Sequence, residues 1–181
     1  MESIVTDTAD RPHILIVDDE DGVRSALRRT LRKEKYRLSY ASSAAEALEL
    51  LKHERPDVIL CDHLMPGMTG LEFLKLCRLR WPDVGRIVLT GQAEMEVVIR
   101  AINDGEVFRF LTKPWDDDEL KLTLHEALRY VAETREKAAL LKQLEPQAKF
   151  IKALNEEHPG VTDVSRDYDG AILIDPADLE D

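Results

Sequence analysis

Five short apolar runs punctuate the chain, and apolar residues between them recur at helical spacing. The runs are His13 to Val17, Arg37 to Ala41, Val58 to Leu60 leading into Cys61 and Asp62, Gly85 to Thr90, and Val107 to Thr112. Each is short for a helix and reads as a strand, and the run from Val58, β-branched at its start and bounded by Pro56 and Pro66, fits a buried one. Between them, Val23, Ala26, Leu27, Thr30 and Leu31 predict a helix from Gly22 to about Lys35. Ser43, with Glu46 three residues on, starts a second helix over Ala44 to Glu54, stopped before Pro56. A third helix is expected over Thr69 to Arg80 and a fourth over Glu94 to Asp104, ended by Gly105, with a fifth resuming near Asp116. Strands alternating with helices through short loops predict an α/β fold, a doubly wound five-stranded parallel sheet.

Parallel strands all end on one edge, and here their ends carry chemistry. Asp18 and Asp19 follow the first strand, Asp62 ends the third, Thr90 the fourth, and Lys113 follows the fifth. If the strand order is 2-1-3-4-5, the first and third strands are neighbours about 4.8 Å apart, and Asp18, Asp19 and Asp62 meet at the switch point. Clustered carboxylates repel, so the arrangement calls for a hard divalent cation, with Mg²⁺ favoured, and for the compensating ammonium of Lys113. Singly, each has a plainer reading: Asp18 and Asp19 as caps of the first helix, Thr90 as a strand residue, Lys113 as a turn lysine. It is their joint placement on one edge that argues for a site. His63 reads as a loop side chain facing solvent, because no second His or Cys stands at ligand spacing. Cys61 and Cys77 read as core thiols.

Charge narrows the function further. A net charge of −11 and a pI near 5.0 argue against a nucleic-acid-binding surface, which needs clustered cations. No apolar run approaches the roughly 20 residues of a bilayer span, and the polar, acidic start is unlike a signal peptide. A cytoplasmic protein with reduced thiols and no membrane contact is expected. A dinucleotide enzyme is a weak alternative, since Asp18-Asp19-Glu20-Asp21-Gly22 stands where a glycine-rich phosphate loop would follow the first strand. An aspartate-nucleophile phosphatase would want a second acid where Leu64 stands.

The segments Val17-Asp18-Asp19, Cys61-Asp62-His63-Leu64-Met65-Pro66-Gly67-Met68-Thr69-Gly70, Leu89-Thr90-Gly91 and Phe110-Leu111-Thr112-Lys113-Pro114 together resemble the receiver domains of two-component response regulators. The resemblance covers Arg11 to about Tyr130 and implies a flavodoxin-like sheet. It implies Asp62 as phosphoacceptor, Asp18 and Asp19 as metal-site acids with the backbone carbonyl of Leu64, and Thr90 and Lys113 as ligands of the phosphoryl oxygens. Phe110 takes the place of the family's rotameric aromatic. The implied donor is a phosphohistidine on a sensor histidine kinase or phosphotransfer protein, with at most weak self-catalysed phosphotransfer and dephosphorylation.

Three parts are expected: a receiver over residues 11–130, a helical extension over 131–157 and a C-terminal tail over 158–181. Leu120, Leu124, Ala127, Val131, Thr134, Ala138 and Leu141 alternate steps of four and three, a heptad seam. It predicts a homodimer through the C-terminal helix and an unknown downstream protein partner. Pro146 is expected to interrupt that helix. In the tail, Asp169-Gly170 between Val161 to Arg166 and Ala171 to Ile174 predicts a small β-hairpin. The chain reads as a complete regulator acting through protein contacts. The alternative is the receiver portion of a larger regulator with an enzymatic or DNA-binding output domain.

Overall fold

The computed structural model describes residues 11–103 and 107–157. Its strands are β1 (His13–Val17), β2 (Arg37–Ala41), β3 (Val58–Asp62), β4 (Gly85–Thr90) and β5 (Arg109–Thr112). Its helices are α1 (Asp21–Leu31), α2 (Ala44–Leu50), α3 (Gly70–Arg80), α4 (Met95–Asn103), which follows a 3₁₀ turn at Gln92–Glu94, and α5 (Asp117–Glu157). All pairings are parallel and the order is β2-β1-β3-β4-β5, the doubly wound sheet expected from the alternation. The chain divides into two compact units, Met1–Arg135 and Glu136–Asp181. The expected hairpin lies outside the described residues.

In the first unit the pleat sorts side chains into two cores. Val17, Cys61, Val88 and their neighbours pack with α2, α3 and α4 residues such as Ala47, Phe73, Leu74 and Val98. Ile16, Leu60, Ile87, Leu89 and Leu111 pack with Leu27, Leu31, Leu120, Leu124 and Ala127 from α1 and α5. Every residue of β1 and β3 is buried. That is why those two strands read as continuous apolar runs rather than alternating ones. Ser43 caps α2 by accepting the Glu46 N–H, and Thr69 and Glu72 form a reciprocal capping box that fixes the start of α3.

Several boundaries differ from the expected ones. β5 begins at Arg109 rather than Val107, because the Val107 N–H turns back to the Ala101 carbonyl. Helices α1 and α2 end at Leu31 and Leu50, where turns replace the last expected residues. Pro146 does not interrupt α5, which runs through it from Asp117 to Glu157. A proline removes one backbone bond, and the Glu, Gln, Ala and Lys residues around it sustain the helix.

The heptad seam also divides. Leu120, Leu124, Ala127 and Val131 are buried in the core of the first unit. Over so few turns the 3.5-residue period of a coiled coil and the 3.6-residue period of a core-facing helix coincide, so spacing alone could not tell them apart. Arg135 continues this attachment: its guanidinium pairs with Asp57 and, at 3.3 Å, with Asp83. In the second unit, Leu140, Leu141, Leu144, Phe150 and Ile151 are exposed.

Candidate functional site

The register sets the site. Val17 pairs with Cys61, so the chain leaving β1 puts Asp18 beside Asp62. On the other flank Thr90 pairs with Thr112, and the Lys113 N–H donates to the Thr90 carbonyl at 2.8 Å. From there the Lys113 ammonium donates to Asp18 Oδ2 at 2.8 Å and reaches Asp62 Oδ1 at 2.5 Å. Asp18 is fully buried and Asp62 is 6% exposed. The other oxygen of Asp18 accepts the Glu20 N–H at 2.8 Å, so Asp18 also orders the turn into α1.

The electrostatics are those of a crowded anionic pocket held by one cation. Burial raises the Asp62 pKa, Lys113 opposes that rise, and the charges of Asp18 and Asp19 add to it. Burial acts against the Lys113 charge, but hydrogen bonds to Asp18 and Asp62 outweigh it and hold its pKa above the ordinary 10.5. Asp19 is exposed, so it contributes through charge rather than through a contact with the cluster.

The backbone around Asp62 is equally constrained. Gly70 donates its N–H to the His63 carbonyl at 2.8 Å, closing the loop between β3 and α3. A Cβ at Gly70 would sit 1.9 Å from the Asp62 carbonyl oxygen, so only glycine fits this close approach. Gly67, inside the loop, has φ +84°, a conformation that glycine adopts without strain. Cys61 donates its thiol to the Asp62 carbonyl at 3.1 Å, and burial, followed by the Asp62 charge, pushes its pKa well above normal. Burial pushes Cys77 up to about 12. Both are free, buried thiols of the core, as expected.

Thr90 and Phe110 lie on the same face of the sheet as Cys61 and Val88. Thr90 is buried at the end of β4, two residues after Val88, and its hydroxyl donates to the Gly91 carbonyl at 3.1 Å. Phe110 stands opposite Val88 and packs, partly buried, against the same core. It also lines a cleft with Ile102 of α4, Phe108 just before β5, Arg109 of β5, and Glu119 and Thr123 of α5. The Leu64 side chain is 57% exposed. His63 is not a solvent-facing loop residue: it is only 8% exposed, and its Nδ1 is buried without a hydrogen-bond partner. Its backbone, just past the end of β3, is still tied to the sheet, with its N–H donating to the Leu89 carbonyl at 2.9 Å. Sequence reasoning gave no role to His63 or Gly70. Gly70 had a signal in its place just after the loop, whereas nothing local distinguishes a buried from an exposed histidine.

Residues 14–125 match the family model described as the response regulator receiver domain. The chain belongs to this family. Receivers are the phosphoacceptor switches of two-component signalling, and this one is similar to the hydrogenase transcriptional regulatory protein HoxA of Cupriavidus necator, with 45% identity over 115 residues. That match covers 64% of this chain and 24% of the relative. It is also 35% identical over 108 residues to sporulation initiation phosphotransferase F of Bacillus subtilis, covering 60% of this chain and 86% of that protein. Among solved structures, the signal receiver domain of an HD domain-containing protein from Pseudomonas fluorescens Pf-5 aligns with a TM-score of 0.66 and 37% identity, over 70% of this chain and 93% of that one. The chain spans about a quarter to a third of the first HoxA relatives it matches.

Receivers generally bind Mg²⁺ at the acidic site, and the residues present fit that ion in part. Two buried carboxylates converge closely enough to share one ammonium, which is the hard oxygen donor set Mg²⁺ takes. Among the described residues no three His, Cys, Asp or Glu side chains converge as a ready metal cage. This agrees with the habit of Mg²⁺ to use one or two carboxylates and complete its shell with backbone, water and phosphate oxygens. Among the described residues, no helix is long and apolar enough to cross a membrane.

Proposed function

We propose that Asp62 is the residue that accepts the phosphoryl group, from a phosphohistidine on a sensor histidine kinase or phosphotransfer protein. The observation that supports this most directly is the Lys113 ammonium bonded at once to Asp18 and Asp62. An Asp62 oxygen attacks phosphorus in line, forming the O–P bond as the P–N bond of phosphohistidine breaks and the imidazole leaves with the electron pair. Lys113, already against Asp62, balances charge on an equatorial phosphoryl oxygen, and the Thr90 hydroxyl turns from the Gly91 carbonyl to donate to another. Asp18 and Asp62, with Asp19 and the Leu64 carbonyl, would hold Mg²⁺, which when bound offsets phosphoryl charge. Rotation of Thr90 frees space for Phe110, linking the site to the cleft of α4, β5 and α5. The buried thiols fit a cytoplasmic location.

The test is direct. Wild type incubated with acetyl phosphate and Mg²⁺ is expected to gain one phosphoryl group by intact mass, and Asp62→Asn none. Equal labelling of the two would sink the assignment.

Signalling is read through protein contacts, and the exposed apolar residues of the second unit support a homodimer through its helix. Leu141 and Leu144, with Ile151 seven residues further on, share one stripe. Leu141→Glu and Leu144→Glu, both at exposed positions, are expected to halve the sedimenting mass without unfolding the receiver. Wild-type mass in both would eliminate the coiled-coil dimer. A second reading, the input portion of a longer regulator with its own output domain, is favoured by the HoxA relatives, which are about three to four times as long as the matched segment.

A further inference from the structure

One buried polar atom beside Asp62 has no place in the chemistry above. The geometry points to His63 as a positioning residue that holds the Thr90 hydroxyl in its switched orientation, an inference that rests on the phosphoacceptor reading of Asp62.

Three observations carry it. First, the register pairs Asp62 with Leu89, and the His63 N–H bonds the Leu89 carbonyl, so His63, the first residue past the end of β3, is tied to the strand residue just before Thr90. Second, the pleat puts the two on one face. Cys61 and Val88 belong to the core under α2, α3 and α4; Thr90 stands two residues further along β4, and His63 two residues after Cys61, one past the end of β3, where the alternation carried on by its N–H bond to Leu89 turns it to the same face. Neighbouring side chains on one face of a sheet have Cβ atoms about 5 Å apart. Nδ1 lies two bonds from Cβ, so rotation about χ1 brings the Thr90 oxygen within its reach. Third, among the described residues the His63 Nδ1 is buried with no hydrogen-bond partner, and the Thr90 hydroxyl donates to the carbonyl of its own neighbour.

A buried ring nitrogen left unsatisfied in one state favours any state that satisfies it. A threonine hydroxyl both donates and accepts. When Thr90 turns to donate to a phosphoryl oxygen, its lone pairs remain free, and His63, with its proton on Nδ1, donates to one of them. The orphan of the resting receiver thereby gains a partner only in the phosphorylated one. Gly70, bonded to the His63 carbonyl, fixes the backbone from which the ring projects. The identity of the residue after the phosphoacceptor thus biases the switch without touching the phosphoryl group.

The probe is beryllofluoride with Mg²⁺, titrated into the full chain. His63→Leu, of similar size but with no donor, is expected to weaken binding about fivefold to tenfold, the effect of one net hydrogen bond. His63→Asn carries a donor at nearly the place of Nδ1, and is expected to restore affinity to within about twofold. In a Thr90→Ala background, where the acceptor is gone, His63→Leu is expected to change nothing further. A wild-type affinity in His63→Leu, no rescue by His63→Asn, or the same loss with Thr90→Ala would overturn the pairing and leave His63 as packing. Failure of the wild type to bind beryllofluoride would overturn the Asp62 reading itself, and this inference with it.

Discussion

Gly70→Ala is expected to destabilise the receiver by on the order of 3 kcal/mol and to slow phosphoryl uptake at Asp62 severely. The new Cβ would stand 1.9 Å from the Asp62 carbonyl oxygen and 2.9 Å from its carbon. Both are backbone atoms, so neither a rotamer change nor a flexible tip can relieve the overlap. Either α3 withdraws from the end of β3, opening the core at Leu71, Phe73 and Leu74, or the Asp62 peptide moves and takes the carboxylate away from Lys113. The first route appears in a denaturant midpoint and the second in the rate of phosphorylation by acetyl phosphate. Gly22 is the internal control, because nothing lies within 4 Å of its Cβ position. Gly22→Ala, inside α1, is expected to be neutral or stabilising by about 0.5 kcal/mol. Equal stability of wild type and Gly70→Ala would show that this close approach is not a feature of the folded protein.

Lys113→Ala should have the next largest effect, with a pH dependence of definite sign. Removing one partner of a buried ion pair leaves charge uncompensated, and partial exposure of the ammonium reduces the cost to about 2–3 kcal/mol at pH 7. Burial raises the Asp62 pKa, and hydrogen bonding and charge from Lys113 hold that rise down, so losing the lysine lifts it further. A carboxyl whose folded pKa exceeds its unfolded value holds its proton longer in the folded state, so stability falls as pH rises through that window. The variant is therefore expected to be closest to wild type near pH 4 and to lose ground steadily toward neutrality. The wild type has the full contribution of Lys113 below 10.5 and loses it as pH rises from there through the raised lysine pKa. Mg²⁺ offsets the same two carboxylates and is expected to recover stability in Lys113→Ala more than in wild type, while the phosphorylated variant no longer switches conformation. Thermal melts across pH, with and without Mg²⁺, test this. An unchanged stability difference at pH 4 and pH 7 would show that the ammonium is not what holds the two acids together.

Much of this molecule is legible in the chain. The run into Cys61 and Asp62 fits a buried strand better than a helix, which would need a longer periodic segment. Helices alternate with such strands through loops too short for anything but a doubly wound sheet, and parallel strands then deliver Asp18, Asp62, Thr90 and Lys113 to one edge. These are consequences of local periodicity and connection length, and they reach as far as naming the acids and the lysine. Local pattern does not reach depth. The burial of His63 depends on packing around the end of β3, between elements far apart in the chain. The same limit applied to α5, where spacing was read as one seam. Packing on the sheet claims Leu120, Leu124, Ala127 and Val131 as core, and Thr134, Ala138 and Leu141 are the part left exposed. The sequence by itself determined which residues lie on the functional edge, because backbone geometry carries that information residue by residue. Only the tertiary structure decided which of them touch, which polar atom is left without a partner, and which apolar stripe is already occupied, because those outcomes depend on packing between elements far apart in the chain.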